Sequence, residues 1–423
     1  MKPNTRRTVA LASLLALAVA ASRLSAGEAK TGPWWPCFHG PNHDNISADK
    51  GLLKEWPPDG PPLAWRFSEC GRGYAGVAIA DGLIYTAGDF DDKECLFALD
   101  LDGKLVWKSE NGKAWKGAMP GARTTPTYEE GVLYHMNPAA RLAAYEAKTG
   151  KELWAVDLKK EFNAQPGIWA LSENIALDGD KVLCAPGGTK GRFVALDKKT
   201  GKTLWANTEF DEGAAYCTPL VVTHKGVRQM ITLMQKTAVS VDVATGKLLW
   251  THPHATAHCQ NVTMPIYRDG FVAASSGHGT GTRLLKLADD SKSVTEVWIG
   301  KELDNCHGGM ALVDGYLYGA GCRLFAGGGF ACVEFATGKC LWKEKPLGKL
   351  SFTVADGLVY GHNNRARMFL VDAKPDRCRT ISQFDLPKAG NEETLCHPVV
   401  CGGRLYVRHW TDLFVYNVSA AGK

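Results

Sequence analysis

Apolar and polar residues alternate in short runs through most of the chain, and the runs follow a fixed order. "AYEAKTGKELWAVDL" from Ala144, "ALDKKTGKTLWANTEF" from Ala195, "SVDVATGKLLWTHPH" from Ser240 and "CVEFATGKCLWKEK" from Cys332 share one pattern. Each is an alternating apolar run, a turn ending in Thr-Gly-Lys, and a second short run closed by Trp. Alternation predicts half-buried strands, and the glycine predicts a tight hairpin turn. A second phrase precedes each of these, as in "DGLIYTAG" at Asp81, "EGVLYHMN" at Glu130, "DGYLYGAG" at Asp314 and "DGLVYGHN" at Asp356. No helical periodicity of useful length appears beyond the first residues.

The phrases are evenly spaced. Trp107, Trp154, Trp205, Trp250, Trp298 and Trp342 follow one another at intervals of 47, 51, 45, 48 and 44 residues. A period of about 40–50 residues with four short strands per unit predicts radial repetition of small sheets, a β-propeller. Eight units are counted, each with strands A to D. The last ends at "DLFVYNVSA" with no Trp-bearing strand D, while an orphan "LAWRF" (Leu63–Phe67) stands before the first unit. The fold is therefore read as all-β: an eight-bladed propeller of four-stranded antiparallel blades, closed by an N-terminal strand. Trp65, Trp107, Trp154, Trp205, Trp250, Trp298 and Trp342 are read as structural residues packing between blades.

Three segments follow: residues 1–26 as a signal peptide, 27–62 as an extended N-terminal segment, and 63–420 as the propeller. Lys2, Arg6 and Arg7 precede an apolar stretch from Val9 to Ala21, too short to span a membrane. The expected location is periplasmic or secreted, with no transmembrane segment. The formal charge of +5 includes Lys2, Arg6, Arg7 and Arg23. Without them 45 basic residues face 44 acidic ones, which leaves no electrostatic footprint for nucleic acid. Of the 13 cysteines, Cys332 and Cys340 lie on the two arms of one hairpin and are the candidate disulfide.

The repeated A-x-D-x-x-T-G-K-x-x-W phrase resembles the tryptophan-docking motif of pyrroloquinoline quinone (PQQ)-like propellers. That superfamily holds quinoprotein alcohol dehydrogenases and BamB-type outer-membrane assembly factors. "WPCFHGPNHDNIS" is similar to the opening block of exported PQQ-like propeller proteins. "GDKVLCAPGG", "NCHGGMALVDGYLYG" and "HPVVCGGRLYVR" resemble later blocks of the same group. Cys37 and His39 stand where that group more often has Gln or Trp, and Arg. The resemblance implies PQQ as a cofactor, but the sequence does not support it: it has no adjacent Cys-Cys pair and no Glu/Asn/Asp set for a Ca²⁺–quinone site. No other cofactor and no metal site is read.

Standard catalytic motifs are missing. "GHGTG" (Gly277–Gly281) leads into a strand, not a helix, and reads as a turn; "DFDDKE" at Asp89 reads as a solvated hairpin tip. Aligning the eight A strands on the glycine after each yields two rings at one mouth of the axial channel. They gather the ligand-binding candidates Arg123, Glu173, Tyr216, His307, Lys349 and His397. Arg123 and His307 fall in opposite blades, and Glu173 faces Lys349. A guanidinium, an ammonium and an imidazole suit an anionic ligand, although any water-filled channel is polar.

The expected function is a binding or scaffold module whose partner is a protein or a small anionic ligand. The alternative is a quinoprotein-like alcohol or sugar dehydrogenase. A third reading, metal- or thiol-linked chemistry at Cys306, His307, Cys396, His397, Cys259 and His258, is disfavoured because the alignment puts Cys217 and Cys396 in blades four and eight, on opposite sides of the channel.

Overall fold

The computed structural model describes residues 32–321, 328–387 and 392–420; the signal-peptide reading lies outside them. Eight antiparallel sheets follow one another along the chain, and each consists of four sequential strands except at two places. Blade two, for instance, runs Thr127–Glu129, Val132–Met136, Arg141–Glu146 and Glu152–Asp157. Among the described residues no helix is long and apolar enough to cross a membrane.

The "DG" phrases form the A–B hairpin turns. In blades one, five, six and seven the first turn residue is Asp at φ 48–52° and the second is Gly at φ 75–85°. Two consecutive positive φ values define the type I′ turn that matches strand twist.

The "TGK…W" phrase specifies the seams. Trp107 Nε1 donates to Ala147 O of the next blade at 2.9 Å, and Trp154, Trp205, Trp298 and Trp342 reach Lys198, Val243, Phe335 and Lys374 in the same way. For Trp107, Trp154, Trp205 and Trp298 the turn glycine of the next blade lies under the indole, whereas the blade-seven turn that receives Trp342 has no glycine. A Cβ on Gly150 would come within 2.4 Å of the Trp107 ring, and one on Gly246 equally close to Trp205. The repeat thus pairs a Trp on one blade with a Gly on its neighbour. Trp250 departs from it: it donates to Gln229 Oε1, and Gln229 Nε2 reaches Ser291 in the blade-five turn, where no Thr-Gly-Lys occurs.

Closure follows the same grammar. Leu63–Phe67 pairs antiparallel with Asp412–Asn417, with Trp65 opposite Val415 and Phe67 opposite Leu413. Trp65 Nε1 donates to Leu101 O in blade one. Phe384 of blade seven packs on Gly60, at the turn that precedes this borrowed strand.

The second exception is at the axis. Ile46–Ser47 adds a parallel strand to the inner edge of blade seven, at Val354–Ala355. Upstream, Trp35 bridges Ile79 of blade one and Pro36 O accepts from Tyr128 N of blade two. Between these points Phe38 reaches the apolar cluster of blades four and five. The N-terminal segment therefore crosses and blocks the channel.

Among the described residues the cysteines form no disulfide. A bulge after Cys332 places it opposite Trp342 and puts Cys340 opposite Val333. The two candidates for a disulfide therefore sit on successive cross-strand pairs.

Candidate functional site

Because the N-terminal segment blocks the axis, the channel mouth becomes a blind cavity of about 290 Å³. Trp35, Phe38, His39 and Asn45 of that segment contribute to its lining, and the starts of the A strands supply most of the rest. Of the sequence candidates, Arg123, Tyr216, His307 and His397 line it. Glu173 and Lys349 are not among its lining residues.

Glu173 was misplaced by a single residue. In blade three Gly179 takes the first turn position (φ 57°), where blades one, two and four to seven have Asp, Glu or Lys and blade eight has a Gly-Gly turn. Asp178 pairs with Lys181, so Asp180 is the counterpart of the other turn glycines. A one-residue slip in a strand reverses the face of every side chain. The ring position belongs to Asn174, which accepts from Thr125 N at 2.6 Å and donates to Thr218 at 2.8 Å, tying the walls of blades two, three and four together. Glu173 instead accepts from Ala185 N at 2.8 Å inside the blade, and burial raises its pKa to about 8. The expected opposition of Glu173 and Lys349 across the channel mouth is absent.

Arg123 is at the wall, but four of its five N–H donors go to carbonyls. Nη1 donates to Trp169 O at 2.8 Å, Nη2 to Ala118 O at 3.2 Å and to Met119 O, and Nε to Gly121 O at 3.4 Å. It holds two loops over the mouth. Burial lowers its pKa to about 10. Tyr216 packs edge-on against Trp169 at 5.7 Å.

The histidines form a connected group. His397 Nε2 lies 2.9 Å from His307 O, and His397 Nδ1 lies 3.2 Å from His39 Nε2. Burial first, then neighbouring cations, lowers His307 to about 3; burial lowers His397 to about 4. His39 is pushed well below its usual value by burial and by His397. Gln260 bridges His278 and His307. Its loop carries His258 and Cys259 at φ 59° and 54°, a conformation costly for residues with a Cβ.

Trp35, Phe38, His39, Asn45, Trp169, Asn174 and Gln260 were not sequence candidates. The signal for the first four was the "WPCFHGPNHDNIS" block, long and specific yet outside the eightfold repeat. In "DFDDKE" only the tip is solvated. Asp89 and Glu94 are buried opposite each other, Glu94 bonds His135 at 3.0 Å, and burial raises Asp89 to about 7.

These shifts fix a pH profile. Buried Asp89 and Glu173 keep protons that the unfolded chain releases near pH 4, so they make stability fall as pH rises toward 7–8. Buried His254, His307, His362 and His397, lowered to about 3–4, refuse protons that the unfolded chain binds near 6.5, so stability falls as pH drops below that. Stability is expected to peak near pH 6.5, and Glu173→Gln, by removing a contribution that falls from about pH 4.5 to 8, should flatten the alkaline limb and steepen the acid one. Urea midpoints at pH 5, 6.5 and 8 check this; an unchanged alkaline slope in the variant would refute the Glu173 assignment.

The fold defines an eight-bladed β-propeller with a cavity on its axis. The family model described as "Outer membrane protein assembly factor BamB" matches residues 92–324, more than half of the chain, and the chain belongs to that family. In sequence it is similar to quinohemoprotein alcohol dehydrogenase ADH IIB of Pseudomonas putida, 34% identical over 145 residues, 31% of this chain and 20% of that protein. Quinoprotein alcohol dehydrogenase PedH of the same species is 29% identical over 156 residues, 36% of this chain and 25% of that protein. The matched stretches span a quarter or less of those relatives' length. Among solved structures, BamB from Moraxella catarrhalis superposes with TM-score 0.59 at 14% identity, covering 84% of this chain and 99% of that one. Quinohemoprotein alcohol dehydrogenase from Comamonas testosteroni gives 0.66 at 14% identity, covering 94% and 82%. At this identity the superpositions establish the fold alone.

Proposed function

We propose that the protein is an exported binding module that holds a small ligand in the axial cavity and presents its outer faces to a protein partner. The observation that carries this reading is the blind cavity itself: the chain's own N-terminal segment closes the channel and supplies aromatic and imidazole groups to the lining. An apolar concavity with a few fixed polar groups is the usual form of a ligand site.

The oxidoreductase alternative asks the same cavity to hold PQQ, a quinone bearing carboxylates, with a Ca²⁺ ion. Arg123 spends four of its five N–H donors on carbonyls, Lys349 is not among the lining residues, and Glu393 brings a carboxylate to the wall. Among the described residues no cluster of three or more His, Cys, Asp or Glu side chains is arranged to hold a metal ion. These residues do not fit that group. The small anionic ligand expected from Arg123 and Lys349 is disfavoured for the same reasons.

A thermal-shift screen tests the binding reading. A ligand at a hundred times its Kd stabilises by about 2.7 kcal/mol. The shift should vanish in Thr125→Tyr, which fills the cavity; a shift that persists there would place binding elsewhere. Protein incubated with PQQ and Ca²⁺ and then desalted is expected to keep no quinone absorbance. Retained absorbance with dye-linked alcohol oxidation would establish the oxidoreductase reading.

A further inference from the structure

We infer that the cavity takes an uncharged, hydroxylated ring compound of about monosaccharide size, anchored by a ligand hydroxyl donating to Nδ1 of His39. This rests on the binding-module reading and specifies its ligand.

The tautomers follow from one fixed acceptor. The carbonyl oxygen of His307 can only accept, so His397 Nε2, 2.9 Å away, carries the proton. Neutral His397 then has a bare lone pair on Nδ1, which faces His39 Nε2 at 3.2 Å. His39 Nε2 must donate, and the lone pair of His39 falls on Nδ1. That atom makes no hydrogen bond within the protein, although His39 is only 4% exposed and lines the cavity. The depressed pKa values of both rings keep the pair neutral. Phe38 stacks on the His39 ring at 4.0 Å and 20°. Gly309 admits the pair, since a Cβ there would lie 2.9 Å from His39 Nε2 and 2.5 Å from His397 Cε1.

The rest of the lining narrows the class. Asn45, Ser172, Asn174 and Thr218 are engaged in hydrogen bonds within the protein. Thr125 Oγ1, in a residue 5% exposed, and the buried Tyr74 Oη and His307 Nδ1 are the further polar groups of the lining without a protein partner. An imidazole lone pair needs a donor, and a threonine hydroxyl takes either role; hydroxyl groups satisfy both. Charge offers little: Arg123 places four of its five N–H donors on carbonyls, and Glu393 accepts from Asn364 at 2.7 Å. The rings of Trp35, Phe38 and Trp169 offer flat apolar surface to a ring. At roughly 30 Å³ per water, 290 Å³ holds about ten waters, enough for one sugar-sized ring.

The test is calorimetric titration of the full chain with glucose, galactose and myo-inositol, against glucuronate and glucosamine, at pH 5.5 and 8. A neutral compound should bind equally at both pH values. His39→Phe should weaken it about tenfold, the upper range for one lost hydrogen bond, and His39→Gln, which keeps an acceptor oxygen, should weaken it less. ¹⁵N-imidazole NMR of the unmutated protein gives a readout free of folding effects: His39 should show a protonated Nε2 and a bare Nδ1 that shifts on titration. Binding of charged compounds only, undiminished binding to His39→Phe, or a protonated Nδ1 would overturn the inference and leave the binding-module reading standing. No binding by any member of the panel or by any compound in the thermal-shift screen would overturn both.

Discussion

Arg408→Met is expected to cost about 3–5 kcal/mol of folding free energy, the range for uncovering several buried polar groups at once. The guanidinium is essentially fully buried. Nε donates to Trp410 O at 2.6 Å, Nη1 to Ala87 O at 3.3 Å and Thr86 Oγ1 at 3.4 Å, and Nη2 to Gly71 O at 2.9 Å and Cys70 O at 3.1 Å. Arg408 lies on a blade-eight strand, while four of its five acceptors belong to blade one or the segment leading into it. The seam is tight there: a Cβ on Gly88 would meet Cys70 O at 1.7 Å. Methionine fills much of the volume but strands the carbonyls. Lysine keeps the charge, but its single ammonium cannot reproduce a planar fork reaching five acceptors, so Arg408→Lys should recover less than half of the loss. Denaturant midpoints measured with constant m-values decide the matter. A loss below about 1 kcal/mol for the methionine variant would show the cage to be dispensable.

Removing residues 32–67 is expected to abolish the single cooperative unfolding transition, a loss of at least about 5 kcal/mol, comparable with the whole stability of many domains. The deletion exposes the edge of Asp412–Asn417, which native propellers keep paired. It breaks the Arg66–Asp412 ion pair of 2.6 Å, whose acidic partner is buried. It also strips Trp56 and Gly60 from Phe384 and takes away the cavity floor. The truncated chain should bind hydrophobic dye and lose near-ultraviolet circular dichroism, and a synthetic 32–67 peptide added in trans should restore both. A truncated chain with an unchanged urea midpoint would mean that the ring closes without its N-terminal strand.

The repeat was legible because its grammar is local. A type I′ turn demands positive φ at two successive residues, a seam demands Trp against Gly, and both leave a signature a few residues long. Leu63–Phe67 was legible as the closing strand because the eighth blade lacked one. The cavity was less legible for three reasons. Glu173 and Asn174 are neighbours on opposite faces, and only the pairing of Asp178 with Lys181 shows which one faces inward. Arg123 looks like an anion binder until its carbonyl partners at Trp169 and Ala118 are known, and those sit in irregular loops without a motif. His39 lies outside the repeat, so no alignment of blades could bring it to the axis.

That last placement separates two properties in the gene. The blades answer to one another: a change at a seam Trp disturbs the Gly of the next blade, so the ring resists piecemeal alteration. The segment from Trp35 to Asn45 is tied to blades one, two and seven through Trp35, Pro36 and Asn45, and the stretch between those ties, with Phe38 and His39, answers mainly to the cavity. Rewriting that one stretch would retune what is recognised while the ring stays intact. The architecture thus behaves as a fixed socket with an exchangeable insert, and transplanting the insert between related propellers should carry ligand preference with it.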